Sequence, residues 1–243
     1  MIWTYVVIGV VAVLVILLCL GLAIASFSFE NYYENLKEAN SQRNNYGFTT
    51  LEYVDEINKK HFNNTLSITQ CQEYNDHYQG GVVAISEKTM YSNSLASLAI
   101  VSHELGHARQ DKEGKKLYKH GRMRRIGKTL GFLFMPLVIA GVVLSLLNIF
   151  NVLTEQFYLI FGLSLIGLAF VIFLFAVFLK YEEIKIEKEA SKYALQFLDD
   201  YLNTAEIKSC RNFLDSARLT YWASLLKTLL GWTFLTKKDS MFR

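Results

Sequence analysis

His103-Glu104-Leu105-Gly106-His107 is the stretch from which the rest of this chain can be read. It matches the pattern H-E-x-x-H, which has a mechanism behind it only on a helix. Residues four apart stack on one helical face, so both imidazoles can reach one metal ion. Glu104 lies one residue further round, where it can touch a water on that metal without ligating it. Zinc suits the set: it takes nitrogen and oxygen ligands tetrahedrally and keeps one position open in catalytic sites. Water in such a site has its pKa lowered toward neutrality, and Glu104 is placed to act as general base. The surroundings read as a helix. Asn93 or Ser94 can cap its start, and Leu95, Leu98, Val101 and Leu105 make an apolar stripe of helical period. Asp111 follows His107 by four and shares its face. It can orient a ligand imidazole from behind, or simply stand exposed at the helix end.

Working outward, the chain is dominated by apolar runs. Of its 243 residues, 52% are hydrophobic and one is proline, which argues for a helix-dominated membrane protein. The formal net charge of +3 is too small to suggest nucleic acid. Cys19, Cys71 and Cys210 are odd in number and far apart, so they form neither a disulfide framework nor a cysteine zinc site. Trp3 to Ala25 is long enough to span a bilayer. No basic residue precedes it and it exceeds a usual signal-peptide core, so a retained span is expected. Leu130 to Phe150 and Phe157 to Leu179 are two further runs.

Charge sets the orientation. Lys115, Lys116, Lys119, Arg122, Arg124, Arg125 and Lys128 crowd the approach to the second run, and Lys180, Lys185, Lys188 and Lys192 follow the third. The connection from Asn151 to Gln156 has no Lys or Arg. Basic residues flank spans on the cytoplasmic side. The expectation is an integral protein of the inner or plasma membrane, with three spans, its N-terminus outside, and its metal helix and C-terminal region in the cytosol. Anionic lipid headgroups are the expected partner of the basic cluster.

The soluble part reads as mixed. Thr49 and Glu52 form a capping box for an amphipathic helix ending near His61, where a helix C-terminus favours a cationic imidazole. Asn63-Asn64 is a turn. Thr65 to Cys71 and Val82 to Ser86 read as strands with Gly80-Gly81 as a break. The strands make a small hairpin or sheet. They either cover the metal helix or offer an edge on which an extended peptide can pair. Asp76-His77-Tyr78 lies between them. His77 and Tyr78 are candidate donors to a developing oxyanion, or plain loop residues. Asn203 and Glu206 make a second capping box, and Tyr221 on that later helix is either a transition-state donor or core. Trp222 to Leu235 is interrupted by Lys227 and reads as an interfacial or core-covering stretch. The expected division is 1–27 (first span), 28–128 (zincin-like region with the metal helix), 129–179 (two-helix membrane hairpin) and 180–243 (C-terminal helical region).

A third metal ligand is needed. His61, His77 and His120 have no persuasive spacing. The helix after the third run has an apolar stripe of Ile186, Ala190, Tyr193, Phe197 and Tyr201, with Glu183 and Glu187 at or beside it. A carboxylate facing a packed neighbour needs a cation, and Ala190 and Ala194 leave room for a helix to approach. Periodicity alone does not choose between the two glutamates.

The chain resembles the YugP-like family of neutral zinc metallopeptidases, small membrane proteins of bacteria, and more distantly the HtpX-type membrane proteases. The likeness rests on the N-terminal apolar run, Asp76-His77-Tyr78, Ser94 to Ala99 leading into the pentapeptide and Ala108, Gln110-Asp111, two apolar runs, Glu187-Lys188-Glu189-Ala190-Ser191 and Leu219-Thr220-Tyr221. It implies that Glu187, which opens a segment similar to the family's Glu-Phe-Asn-Ala-Ser, is the third zinc ligand. Two departures stand out: Gln79-Gly80 where the family has Asp-Pro, and Lys188-Glu189 where it has Phe-Asn. The expected function is a membrane-bound zinc metalloendopeptidase acting on membrane-associated proteins or peptides, with Zn2+ on His103, His107 and Glu187. The alternative is a silent scaffold or chaperone that keeps the fold. An intramembrane protease is disfavoured because Glu87, Lys88, Arg109 and Asp111 flank the motif.

Overall fold

The computed structural model describes residues 2–115 and 118–229. Among the described residues the chain is mainly helical, with seven helices and one small sheet: α1 (Ile2–Ser41), α2 (Thr50–Phe62), β1 (Ser67–Cys71), β2 (His77–Gln79), β3 (Val82–Ser86), α3 (Glu87–Met90), α4 (Leu95–Lys112), α5 (Tyr118–Ile149), α6 (Gln156–Asp199) and α7 (Thr204–Leu229). They fall into two compact units. One holds described residues 2–28, 122–183 and 221–229; the other holds 29–115, 118–121 and 184–220. The helices α1, α5, α6 and α7 each contribute to both.

The second unit carries the pentapeptide. The capping box of α2 forms as the sequence demands: the Glu52 N–H donates to Thr49 Oγ1, and the Thr49 N–H donates to Glu52 Oε2 at 2.7 Å. Asn63, with φ 54°, ends the helix in the left-handed region, which asparagine tolerates better than most residues. Ser94, not Asn93, caps α4 by accepting from the Ser97 N–H at 3.2 Å. Leu95, Leu98, Ala99, Val101 and Leu105 of α4 are fully buried among Tyr53, Val54 and Ile57 of α2, Ala194, Phe197 and Leu198 of α6, and Cys210 and Phe213 of α7. Burying side chains of this size contributes roughly 1.5–3 kcal/mol each, so this core fixes where α4 lies. Inside it the Tyr53 hydroxyl meets Ser102 Oγ at 2.9 Å, which satisfies both buried polar groups.

The sheet has strand order β1-β3-β2, with β1 parallel and β2 antiparallel to the central β3. The stretch around His77 and Tyr78, which sequence left as a connection, is therefore an edge strand. A two-residue turn makes it so. Gln79 pairs with Val82, and Gly80 and Gly81 between them both have positive φ, 54° and 86°, as a tight hairpin turn of the I′ kind requires. Asp76 anchors the other end: its carboxylate accepts from the Ser86 N–H at 2.6 Å and from Thr89 Oγ1 at 3.0 Å.

In the first unit, Arg125–Ile149 of α5 and the helix α6 are long and apolar enough to cross a membrane. Their close approach depends on small residues. A Cβ on Gly141 would lie 2.7 Å from the Gly162 carbonyl oxygen, and one on Gly162 would lie 2.6 Å from Ser145 Oγ. Phe134, Phe173, Val177 and Trp222 pack around Ala176. The helix α5 runs unbroken through Pro136. Asn148 closes the short connection that follows by donating to the carbonyls of Leu153 and Glu155. Of the basic cluster, Lys116 lies outside the described residues, as do the side chains of Lys119, Arg122, Arg124 and Lys128; Trp222 lies within them, but the stretch after Leu229 does not.

Candidate metal centre

His103 and His107 sit one turn apart on α4, with ring centroids 4.8 Å apart. The second half of α6 brings Glu187 to them. Glu187 Oε2 lies 3.0 Å from His103 Nε2 and 3.5 Å from His107 Nε2. Among the described residues these three offer ligand atoms within 4.8 Å of one another, a group able to hold a metal ion. Ligand atoms about 2.0–2.1 Å from a tetrahedral ion stand about 3.3 Å apart at the corners. The two carboxylate–imidazole separations match that spacing, and two nitrogens plus one oxygen leave the fourth position free. The donor set fits zinc. Glu183, the other candidate, is one turn earlier and pairs with Lys180 at 2.7 Å.

The approach of α6 to α4 runs through Gly106. A Cβ there would lie 2.3 Å from the carbonyl oxygen of Ala190. The pentapeptide therefore needs glycine at this position for packing, quite apart from its two candidate ligands.

Each imidazole is also held from behind. The Ser191 hydroxyl donates to the Glu187 carbonyl oxygen at 2.9 Å, which leaves its oxygen to accept from His103 Nδ1 at 3.2 Å. His107 Nδ1 meets Gln110 Oε1 at 2.9 Å. Both Nε2 atoms are thereby turned toward Glu187, an arrangement that fixes ring and tautomer in metal sites. Asp111, read from sequence as the orienting carboxylate, instead accepts from the Tyr78 hydroxyl at 2.7 Å. Sequence reasoning passed over Gln110 and Ser191. Their signal is positional: Gln110 is three after His107, and Ser191 is four after Glu187.

Electrostatics at the candidate centre follow from three ionisable groups crowded out of water. Burial opposes the charged form of His107, but the hydrogen bond and charge of Glu187 outweigh it and raise the imidazole from 6.5 to about 9. Glu187 is driven well below its ordinary 4.5: burial works against ionisation, and hydrogen bonds from His103 and His107 overcome it. Burial raises Glu104, against the pull of the two histidines. Its Oε2 accepts from the backbone N–H of Tyr78 at 2.8 Å, so β2 lies directly beside the candidate base.

The remaining candidates fall as follows. The Tyr78 hydroxyl accepts from the Gly81 N–H and donates to Asp111, and burial, then Asp111, push it up to about 12. It stays protonated and committed to Asp111. His77 Nδ1 meets the Asn75 carbonyl oxygen at 2.7 Å. Tyr221 lies in the first unit, with Lys180 Nζ 4.9 Å from its ring centroid. His61 packs its ring on Phe197. Burial first, then Lys60, lowers its pKa, the opposite of the cationic cap expected from its place at a helix end. The side chain of His120 lies outside the described residues.

A relative from Bacillus subtilis (strain 168), "Putative membrane protease YugP", is 29% identical over 160 residues, which cover 63% of this chain and 64% of that protein. The match thus spans just under two thirds of that relative's length. No solved structure matches the chain. The family described as "Putative neutral zinc metallopeptidase" matches residues 7–236, nearly the whole sequence, and this chain belongs to that family.

Proposed function

We propose that the protein is a membrane-anchored zinc endopeptidase that cuts proteins or peptides presented at the cytosolic face of the membrane. The observation that carries this reading is the meeting of His103, His107 and Glu187 beside Glu104. A zinc ion held by those three residues would polarise the scissile carbonyl and ease deprotonation of the attacking water. Glu104 takes the proton from that water and later delivers it to the leaving amine. Burial that raises its pKa favours this two-way role, because a general base works best when its pKa approaches the operating pH. The backbone N–H of Tyr78 aims the carboxylate. An extended substrate then pairs along β2, the edge strand nearest that carboxylate.

The membrane part of the reading rests on surface chemistry. Only 17% of the apolar window in each of the two long helices is buried, whereas a core helix would be mostly buried. Phe157, Ile160, Phe170, Val171, Leu174 and Phe178 are more than half exposed, as lipid-facing residues would be. The apolar start of α1 is taken as the third span, with anionic headgroups meeting the basic residues near α5. Glu187 follows Leu179, the end of the long apolar run of α6, by eight positions, or about 12 Å of helix, and in this reading the cutting site stands just above the headgroups.

The test is profiling of tagged membrane proteins in membranes holding the wild type or Glu104→Gln. The variant should keep its zinc and lose cleavage by about 10²–10⁴-fold. Cuts should cluster in juxtamembrane segments; cuts deep within spans, or equal cleavage by the variant, would defeat the reading.

A further inference from the structure

Gln110 has no exposed surface. A carboxamide offers two N–H donors and one acceptor oxygen, and all three are used. Gln110 Nε2 donates to the Ile186 carbonyl oxygen at 3.0 Å and to Glu189 Oε2 at 2.9 Å. Both partners are acceptors only. Turned over, the amide would set its oxygen against two other oxygens in a place closed to water, so the network fixes its orientation. Gln110 Oε1 therefore faces His107 Nδ1 and can only accept. The hydrogen must sit on Nδ1, and a neutral His107 presents a bare Nε2 toward Glu187. A neutral imidazole free in water is held to neither tautomer.

The brace extends beyond the amide. Glu189 Oε1 accepts from Lys115 Nζ at 2.5 Å. Lys115 also reaches Glu113 Oε2 at 3.2 Å, and the Tyr193 hydroxyl donates to that same oxygen at 2.7 Å. The turn after α4 is in this way stitched to α6 on the side away from the metal face. Glu189 is also one of the positions at which the chain departs from the family's pattern, and here it holds Gln110 and Lys115 together.

From this geometry we infer that Gln110 is the positioning residue of the metal centre: it locks His107 in the tautomer that can ligate, and Glu189 and Lys115 brace it. The inference rests on the zinc-centre reading above and adds how that centre is pre-set. A strut between helices would make a different prediction, namely lost stability with unchanged zinc affinity in whatever protein remains folded.

The experiment uses the full chain in detergent with zinc as the probe. Zinc affinity is measured by chelator competition, and the Nδ1–H of His107 is followed by NMR of histidine-labelled, zinc-loaded protein. Gln110→Ala should weaken zinc binding about 10–100-fold and abolish the protected Nδ1–H signal. Glu189→Gln, which still offers Gln110 an oxygen, should retain most of the affinity, with Glu189→Ala falling between. Unchanged affinity and an intact Nδ1–H signal in Gln110→Ala would overturn the inference. Should that variant fail to fold, Glu189→Ala decides: unchanged affinity there overturns it equally. His103→Ala is the control for the underlying reading. If it binds zinc as tightly as the wild type, the metal centre itself is wrong, an outcome distinct from failure of Gln110 alone.

Discussion

At the scale of single residues, the two imidazoles of the candidate centre are held unequally. His107 is backed at 2.9 Å by a carboxamide with no freedom to turn, His103 at the longer distance of 3.2 Å by a single hydroxyl oxygen. Ser191→Ala should accordingly be milder than Gln110→Ala, weakening zinc at the lower end of the 10–100-fold range, near 10-fold, with the fold intact by circular dichroism. Protons give a second check. Without metal, His107 holds its proton up to about pH 9, and zinc accepts only the neutral ring. Below that pH zinc must expel a proton, so its apparent affinity should climb about tenfold per pH unit from this residue. The metal-free fold should respond in the other direction. The His107 contribution is complete below its ordinary 6.5 and is lost as pH rises through about 9. The Glu187 contribution is complete above its ordinary 4.5 and is lost as pH falls through its depressed value. Thermal unfolding with chelator should therefore show this pair's support strongest between pH 4.5 and 6.5, and zinc-loaded protein should gain most above that window. A zinc affinity flat from pH 6 to 8 would contradict the proton count. The two candidate ligand histidines were legible in the sequence because a four-residue spacing puts both on one helical face. Gln110 was not, because a search for an orienting partner favours a carboxylate, and Asp111 stood one position away.

Among elements, the decisive contact is α4 against α6. The core behind α4 sets its position through Leu98, Val101 and Leu105, and α6 closes on it only because position 106 has no side chain. The obstructing atom is a backbone oxygen, which cannot swing aside as a long side chain could. Gly106→Ala should therefore push the helices apart, cost at least about 1–3 kcal/mol of stability, and separate Glu187 from the histidines. Metal analysis should find purified Gly106→Ala depleted of zinc even though all three ligands remain; a full complement would show that α6 can shift without disturbing the site. Sequence alone gave the cap of α2, the two-glycine break and the small faces of Ala190 and Ala194, since each is a local rule. It left Glu183 and Glu187 open because both fall beside one apolar stripe, and only the partner helix distinguishes them. It also missed β2. Three residues are too few for a period to register, and pairing with β3 rather than any property of His77-Tyr78-Gln79 makes them a strand.

For the whole molecule, the open matter is which side of a membrane each segment faces, and charge is the argument. The connection between α5 and α6, residues 150–155, carries Glu155 and no basic residue, while Lys180, Lys185, Lys188 and Lys192 follow the apolar half of α6. Basic flanks stay cytoplasmic, so the connection should lie outside and the metal-binding half of α6 inside. Single cysteines test this in a background with Cys19, Cys71 and Cys210 replaced. Val152→Cys is well placed because Val152 is 65% exposed, and Glu73→Cys reports on the exposed loop between β1 and β2. In intact cells a membrane-impermeant maleimide should label Val152→Cys at once and Glu73→Cys only after the membrane is opened. The reverse pattern would place the metal centre outside the cell. Labelling of both from outside would show that α5 and the apolar half of α6 do not carry the chain across. The outcome bears directly on substrate: with Glu187 about 12 Å of helix beyond the end of the apolar run at Leu179, a centre on the inner side should meet the cytosolic ends of membrane proteins and not their spans. Moving the site outward should then move the cuts with it. Insertion of four residues, just over one helical turn, into each of α1, α5, α6 and α7 where it passes between the two units adds about 6 Å, so cleavage of a tagged substrate should shift to positions further from its span.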